Sequence, residues 1–407
     1  MKRLISLIMA AAVILAVFTA CDSEKAAVSS PMHTLYFRDG TKSGKALVTF
    51  FNSKSGKKKT VKMEEIEKDK NAVTFSCEGD TSVYNMAYIT CGKDKTEEFA
   101  FNKCVSGWYK TEVNFLPYTY GQKIDYHPEY DNVKLKYKGY EKEIYIWTPA
   151  DYDGSSDEKY STVYVLDGQI MTYNSAIMEK IGMKDRSVDG CPIVTEQVKA
   201  MSAANGTKAI VVAVDNTLAR DFELVPDLGT SFDEKMGGAE ITKEDYDALN
   251  GNELSDFFAE KLVPYVQEHY NVYTDALHTS VAGVSLGGLE CFYIAMENPD
   301  LFGTVGSLSP SFWEYDKATW NKYLGKKTFG EQYPFVYIYT GSPTRGDVGP
   351  FPKQMIKRLK KMGYPENKLA YHYNENGTHS ARIWRAMFSE FLSAMVYQRV
   401  EPLGSGL

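Results

Sequence analysis

A glycine-rich pentapeptide, "GVSLG" (Gly283 to Gly287), places a serine hydroxyl between an apolar run and a segment of helical periodicity. When G-x-S-x-G joins a strand to a helix, it forms a sharp turn that projects the serine above the sheet. The hydroxyl then lies at the positive end of the following helix. We therefore predict that Ser285 is a nucleophile, and a purely structural turn is the alternative.

A serine hydroxyl at neutral pH needs a histidine base, which a carboxylate in turn orients. In this type of fold the order along the chain is serine, acid, histidine, and only His372 and His379 follow Ser285. His372 lies inside the predicted strand "KLAYHYNE", where its side chain would be packed or on the sheet surface. His379 lies in "NENGTHSARIW", a loop before the last predicted helix. His379 is therefore the predicted base.

The acid should follow the predicted strand "FVYIYTG", which ends at Gly341. The first carboxylate beyond this strand is Asp347, in "GSPTRGDVG". Glu366 precedes the last strand and Glu375 is close to His379 in sequence, so both stay open as alternatives. We predict that Asp347 completes the triad.

The elements that position these residues read as an α/β domain from about residue 125 to residue 407. Continuous apolar segments alternate with helical ones, which indicates a mostly parallel sheet covered on both faces. The predicted strands include "STVYVLDG", "KAIVVAVDN", "HTSVAGVS", "GTVGSLSPS", "FVYIYTG" and "KLAYHYNE". The predicted helices are "ELSDFFAEKLVPYVQEHY", "GLECFYIAMENP", "FPKQMIKRLKKMG" and "ARIWRAMFSEFLSAMVYQ".

Residues 33–122 show a different pattern of short alternating segments separated by Gly, Asn, Asp or Lys. This spacing predicts a small antiparallel β-sandwich as an accessory domain. Exposed aromatic rings combine flat apolar area with a polar handle and could stack on sugars. The candidate stacking residues are Tyr36, Trp108, Tyr109 and Tyr118, with burial in a core as the alternative.

The N-terminus has the features of an export signal. Lys2 and Arg3 precede an apolar run that ends in "FTAC", with small residues immediately before Cys21. The run is too short to span a membrane comfortably but suits a signal peptide. Residues 1–21 resemble a bacterial lipoprotein signal, which would make Cys21 the lipid attachment site and residues 22–32 a tether. Simple secretion is the alternative, and either places the mature chain outside the cytoplasm.

Charge and cysteine content exclude several classes of function. The formal net charge is −7, whereas nucleic-acid binding needs concentrated Lys and Arg. The basic run Lys54 to Lys62 is followed at once by "MEEIEKDK", which favours a solvated hairpin. The spacing of Cys77, Cys91 and Cys104 gives no zinc pattern, although one disulfide among them fits an exported protein. We predict no metal and no cofactor.

Residues 134–398 resemble the "putative esterase" family of α/β hydrolases. That family includes enterochelin esterases, S-formylglutathione hydrolases, and feruloyl and acetylxylan esterases. The matching segments occur in the family's order: "YVLDGQ", "VVAVDN" followed by "RDFELVP", "AGVSLGGLECFYIAMENPDLFG", "SLSPSFW" and "GTHSARIW". The chain departs from the family at "GSPT" (Gly341 to Thr344), where many members carry an acidic residue.

The resemblance implies an α/β-hydrolase fold and an acyl-enzyme mechanism. The oxyanion would be bound by the backbone N–H of Leu286 and by a second donor at Gly168 or Gln169. The resemblance also places candidate substrate contacts near the cleft: Arg220, Glu223, Trp313 and Trp384. For Arg220 and Glu223 a structural ion pair is an equal alternative.

Three functions remain open at this stage. The first is an extracytoplasmic carboxylic ester hydrolase acting on esterified polysaccharide or hydroxycinnamoyl esters. The second is a siderophore trilactone esterase, for which basic residues near the cleft would be needed. The third is a surface binding lipoprotein on a hydrolase scaffold, without catalysis.

Overall fold

The structure is a computed structural model that describes residues 32–69, 72–96, 98–99, 107–110, 115–117, 130–138, 140–168, 194–216, 220–229, 250–375 and 377–397. The predicted signal peptide, Cys21 and nearly all of the predicted tether lie outside the described residues. The predicted domain boundary at residues 122–125 also lies outside them.

The N-terminal strands form two sheets. The first sheet has the spatial order β4-β5-β1-β8-β9 and the second has the order β3-β2-β6-β7. The strands are β1 (Met32–Asp39), β2 (Ala46–Phe51), β3 (Lys58–Lys62), β4 (Glu64–Lys68), β5 (Val73–Asp80), β6 (Met86–Cys91), β7 (Asp94–Lys95), β8 (Gly107–Lys110) and β9 (Phe115–Pro117). As the run of lysines predicts, β3 is a mostly exposed hairpin strand paired with β2.

The central sheet follows, in the order β10-β11-β13-β12-β14-β15-β16-β17. Its strands are β10 (Asp131–Tyr137), β11 (Tyr140–Trp147), β12 (Ser161–Val165), β13 (Ala209–Val214), β14 (Thr279–Val284), β15 (Thr304–Leu308), β16 (Phe335–Thr340) and β17 (Leu369–Tyr373). The pairings from β13 to β17 are parallel, and β10 and β11 are antiparallel. The predicted mostly parallel sheet is confirmed, and its parallel strands present their carboxyl ends along one edge.

The helices follow the sheet strands in alternation. They are α1 (Val194–Asn205), α2 (Arg220–Glu223), α3 (Gly251–Phe257), α4 (Val263–His269), α5 (Leu286–Glu297), α6 (Lys317–Leu324), α7 (Phe351–Lys361) and α8 (Ala381–Tyr397). A π-helical segment, Phe258–Leu262, joins α3 to α4. The predicted helix "ELSDFFAEKLVPYVQEHY" is therefore one continuous helical stretch with a π segment inside it.

The apolar core does not separate cleanly at the N-terminal sheets. One cluster of buried side chains contains Phe37 and Trp108 from these sheets together with Phe388 and Phe391 from α8. Trp108 is 2 % exposed and packs against Phe99 at 5.2 Å between ring centroids. Of the two alternatives for Trp108, a sugar-stacking face and burial in a core, the structure shows burial in the core.

The predicted disulfide does not involve the two described cysteines of the N-terminal region. Cys77 and Cys91 are both free thiols, and Cys104 lies outside the described residues. Cys91 is buried and its thiol donates a 3.4 Å hydrogen bond to Oδ2 of Asp39. Cys291 is buried in α5, as its apolar surroundings predict.

Candidate active site

The turn between β14 and α5 holds Ser285 in a strained conformation. Its φ is +58° and its ψ is −122°, in a region that side chains rarely adopt. A Cβ on Gly283 would collide with the carbonyl of Gly287, so only glycine fits there. A Cβ on Gly287 would lie 3.1 Å from Oδ2 of Asp167. The glycines of the pentapeptide therefore permit the close approach of strand and helix that lifts Ser285 out of the sheet.

His379 lies beside this serine. Its Nε2 is 3.1 Å from Oγ of Ser285, and its Nδ1 is 2.8 Å from Oδ1 of Asp347. The side chain of Asp347 is buried, whereas that of His379 is 28 % exposed. A carboxylate can only accept a hydrogen bond, so Asp347 selects the tautomer with a proton on Nδ1 and leaves Nε2 as the acceptor. The structure thus brings together the three residues that the sequence singles out.

The loop after β16 returns Asp347 to the end of that strand. A 3-10 turn, Pro343–Arg345, ends at Gly346 with φ +83°, and the Asp347 N–H donates to the carbonyl of Ser342 at 3.1 Å. The Asp347 carboxylate accepts a hydrogen bond from the N–H of Gly341. Asp347 therefore lies at the carboxyl end of β16, although it is three residues beyond "GSPT".

Hydrogen-bond donors around Asp347 stabilise its charged form. Burial alone would raise the pKa of Asp347, but hydrogen bonds from His379, the Gly341 N–H and the Ser309 hydroxyl lower the pKa below its ordinary value. These donors all favour the ionised form. Asp347 is therefore a carboxylate at neutral pH and can stabilise a protonated His379.

Two further residues hold this arrangement, and Ser309 is the one to which the sequence assigns no role. Its Oγ donates to Oδ2 of Asp347 at 2.9 Å and accepts from Nε1 of Trp384 at 2.9 Å. Trp384 also packs edge-on against His379, with 4.8 Å between ring centroids. Trp384 is 8 % exposed, so the structure places it as a support for His379 and Asp347. The only sequence signal for Ser309 is its position in "SLSPS", directly after a predicted strand.

Ser311 is a second neighbour that sequence reasoning does not single out. Its Oγ is 3.5 Å from Oγ of Ser285, and its N–H donates to the Ser285 carbonyl at 3.0 Å. The segment after β15 therefore fixes the backbone of the nucleophile turn.

Of the predicted oxyanion donors, Leu286 and Gly168 lie among the described residues. Leu286 is the first residue of α5, where the backbone N–H groups have no partner within the helix. Gly168 follows Asp167 at the end of β12, and Gln169 lies outside the described residues. A Cβ on Gly168 would lie 2.8 Å from Cβ of Ala213 and would clash with it. The glycine therefore allows this turn to pack closely against β13.

Two ion pairs near this turn show whether Arg220 and Glu223 contact substrate or serve a structural role. Arg220 donates from Nε to Oδ1 of Asp167 at 2.7 Å and from Nη2 to Oδ2 at 2.5 Å. Glu223 is 3 % exposed and pairs with buried Lys142 at 2.5 Å. For Glu223 the expectation of a substrate contact is corrected to a structural ion pair, because its carboxylate is buried against a cation. Arg220 keeps 26 % side-chain exposure, but its guanidinium is engaged by Asp167.

Trp313 lies in the 3-10 turn Phe312–Glu314 and is half-buried. It lines a cavity of about 260 Å³ with Phe351 and Arg358. The prediction that Trp313 contacts substrate stays a prediction.

Glu290 is a buried carboxyl on the nucleophile helix α5. It is fully buried, packs against the backbone of Gly251, and neither of its oxygens has a hydrogen-bond partner among the described residues. Burial raises the pKa of Glu290 well above its ordinary value. Burial without a hydrogen-bond partner therefore favours the protonated form of Glu290 in the folded chain.

We expect Glu290 to make the folded chain less stable as pH rises. In the unfolded chain it ionises near pH 4.3, so above that pH the unfolded chain binds fewer protons than the folded chain. Up to the raised folded pKa, this single group lowers the free energy of unfolding by at most about 1.4 kcal/mol per pH unit. Urea unfolding of wild type and Glu290→Gln between about pH 5 and about pH 8 measures how the free energy of unfolding changes with pH. Parallel pH slopes for the two proteins would contradict the expectation.

Two features are absent from the described residues. In this part of the chain no helix is both long and apolar enough to cross a membrane. The same part contains no group of His, Cys, Asp and Glu side chains that could hold a metal ion.

Comparison with known proteins gives a family and several structural relatives. Residues 137–395 match the model of a family described as "Putative esterase". Over 151 residues the chain is 25 % identical to the uncharacterized protein YbbA of Bacillus subtilis, covering 35 % of this chain and 59 % of that protein. The match thus spans less than two thirds of that relative.

Two solved structures are among those to which the chain is similar. A ferulic acid esterase from Anaeromyces mucronatus, in complex with ferulic acid, has a TM-score of 0.47 and 20 % identity, covering 70 % of this chain and 94 % of that chain. The enterobactin esterase from Shigella flexneri, in the presence of enterobactin, has a TM-score of 0.47 and 15 % identity, covering 89 % of this chain and 92 % of that chain.

Proposed function

We propose a hydrolytic function from one premise: the chain belongs to the "Putative esterase" family, whose model matches residues 137–395. The proposed activity is hydrolysis of carboxylic esters through an acyl-enzyme on Ser285. One observation supports it above the others, which is the hydrogen-bond chain from Ser285 through His379 to Asp347, with distances of 3.1 and 2.8 Å.

In the first half of the proposed reaction, Ser285 Oγ attacks the ester carbonyl carbon while His379 Nε2 takes the hydroxyl proton. Asp347 stabilises the imidazolium that forms. The oxyanion accepts hydrogen bonds from the Leu286 N–H and from a donor at Gly168 or Gln169. Collapse of the tetrahedral intermediate breaks the bond to the alcohol oxygen, which leaves with the proton held by His379.

In the second half, His379 takes a proton from water as the water oxygen attacks the acyl carbon. The bond to Ser285 Oγ then breaks, and the serine recovers its proton from His379. The products are one carboxylic acid and one alcohol, and the residues return to their starting protonation states.

For the substrate we propose an acyl or hydroxycinnamoyl ester carried on a polysaccharide. Two β-sheets precede the catalytic region and share an apolar core with it, an arrangement that suits an accessory role at an extended substrate. A siderophore trilactone complex is anionic and would need cations at the cleft. The charges of Arg220 and Lys142 are instead compensated by Asp167 and Glu223, which favours a neutral substrate.

The test compares hydrolysis of p-nitrophenyl acetate, methyl ferulate, acetylated xylan and enterobactin by the same preparation. Release of acetate or ferulate from the first three supports the proposal. Preferential hydrolysis of enterobactin would instead indicate a siderophore substrate. Absence of all four activities would contradict the proposed function and favour the binding-protein alternative.

For localisation we propose an extracytoplasmic chain that is anchored by lipid on Cys21, with secretion as the alternative. We expect Cys21→Ser to release the chain from membranes or to leave the signal peptide uncleaved, because the thiol is the attachment atom. Detergent partitioning and mass measurement of the N-terminus, for the chain expressed in a bacterial host, check this expectation. Unchanged partitioning of a Cys21→Ser chain whose signal peptide is still removed would show that the residue carries no lipid.

A further inference from the structure

A cavity of about 320 Å³ lies between the second N-terminal sheet and the edge strand β17 of the central sheet. One wall is formed by the end of β2, its turn and the start of β6, including Phe51 and Met86. The other wall is the end of β17 and the residues after it, from His372 to Glu375. Its volume is at the lower end of the range for small-ligand sites.

The composition of the walls disfavours anionic ligands. Among the described residues the lining contains no Lys or Arg, and the carboxylates found there are Glu98 and Glu375. Lys95 lies 3.8 Å from Glu98 and compensates part of that charge. The other polar side chains of the lining are uncharged Asn and Ser, apart from His372, and the apolar surface comes from Phe51, Met86 and Tyr373. Such walls fit a neutral ligand with hydroxyl groups and an apolar face.

One polar group of the wall is buried and fixed in direction. His372 is 4 % exposed, and its Nδ1 lies 2.8 Å from Oε2 of Glu390. Tyr337 donates to the same carboxylate oxygen at 3.0 Å. Because the carboxylate accepts from Nδ1–H, the remaining ring nitrogen of His372 is left to accept a hydrogen bond. The packed strand position predicted for His372 is confirmed, and the residue also lines the cavity.

Two side chains of the cavity wall, those of Tyr373 and Glu375, are exposed. Tyr373 is 41 % exposed, and within the described ranges its hydroxyl makes no hydrogen bond. Glu375 is exposed and likewise forms no ion pair with a described residue. A tyrosine ring supplies flat apolar area with a polar edge, and a carboxylate accepts hydrogen bonds from hydroxyl groups.

The cavity adjoins the segment that carries the base. Asn374 and Glu375 line it, and His379 follows four residues after Glu375. The segment is fixed by backbone hydrogen bonds from Asn374 to Thr340 and from Ser342 to Gly377, each 3.0 Å long. A ligand in the cavity would therefore lie beside the start of the loop that carries His379.

We propose that this cavity binds a neutral sugar unit of the polysaccharide whose esters the chain hydrolyses, a proposal that rests on the proposed function. The ring of Tyr373 packs on the apolar face of the sugar, and Glu375 and His372 accept hydrogen bonds from its hydroxyl groups. The sugar site thus lies where the N-terminal sheets meet β17, and not on the face that the N-terminal aromatic residues suggest.

The test titrates full-length Ser285→Ala protein with unesterified xylohexaose, cellohexaose and mannohexaose by isothermal titration calorimetry. We expect at least one to bind, and Tyr373→Ala in the same background to weaken that binding at least tenfold. Glu375→Gln should weaken it by a smaller factor. Tyr273→Ala is the matched control, since Tyr273 is 38 % exposed and stacks on His278 outside the cavity.

In the active chain, Tyr373→Ala should raise KM for acetylated polysaccharide and leave hydrolysis of p-nitrophenyl acetate unchanged. The sugar site is overturned if no neutral hexasaccharide binds at millimolar concentration, or if Tyr373→Ala and Tyr273→Ala behave alike. Ester hydrolysis without sugar binding removes this site alone, whereas absence of hydrolysis by wild type removes the proposed function.

Discussion

Ser285→Ala is expected to fold normally and to lose ester hydrolysis by several orders of magnitude, because the covalent route through the serine oxygen disappears. Serine already holds a Cβ at φ +58°, so alanine introduces no new steric conflict in the turn. The remaining oxyanion donors can still bind substrate, which predicts weak residual catalysis over water and not a complete absence of rate. Hydrolysis of p-nitrophenyl acetate, with circular dichroism to confirm folding, measures the change.

The matched control is Ser311→Ala, which removes a hydroxyl only 3.5 Å from that of Ser285. Its hydroxyl has no contact with His379 among the described hydrogen bonds, so turnover should stay within about tenfold of wild type. A fluorophosphonate probe should label wild type and Ser311→Ala but not Ser285→Ala. Activity of Ser285→Ala within about tenfold of wild type would rule out Ser285 as the nucleophile.

The arrangement of the central sheet could be predicted because its strands are continuous apolar runs, which only a two-sided burial explains. Ser285, Asp347 and His379 could be grouped from the sequence because each lies beyond a predicted strand and together they follow the chain order serine, acid, histidine. Three helices of the described chain were not predicted, namely α1, α2 and α6. For α6 a local signal existed, because Asp316 caps the helix by accepting a 2.7 Å hydrogen bond from the Thr319 N–H.

Pairings between distant residues could not be predicted in the same way. Glu223 and Lys142 are 81 positions apart, and Ser309 and Trp384 are 75 apart, so no local spacing relates them. Whether a charged side chain meets substrate or a buried partner depends on tertiary packing. Trp108 shows the same limit, since an aromatic residue in a strand has no sequence mark that distinguishes a core face from an exposed face.

The acid of the triad is where the chain departs from its family, and the geometry gives a sharp expectation for Asp347→Asn. Oδ2 of Asp347 accepts from the Gly341 N–H and from the Ser309 hydroxyl, so an asparagine would turn its carbonyl oxygen to these donors. Its amide would then donate to Nδ1 of His379. That hydrogen bond selects the tautomer with a proton on Nε2, which cannot accept the proton of Ser285.

We therefore expect Asp347→Asn to lower turnover by about 10⁴-fold, the scale on which a triad fails when its histidine takes the wrong tautomer. Glu366→Gln and Glu375→Gln should each cost at most about tenfold, because neither carboxylate contacts His379. Glu366 lies 3.2 Å from Lys360, and Glu375 lines the cavity beside β17. Turnover of all three variants decides the assignment, with circular dichroism to confirm that each one folds. An inactive Glu375→Gln beside an active Asp347→Asn would mean that the carboxylate next to His379 in sequence orients it during the reaction, and that the contact between Asp347 and His379 serves only to hold the loop.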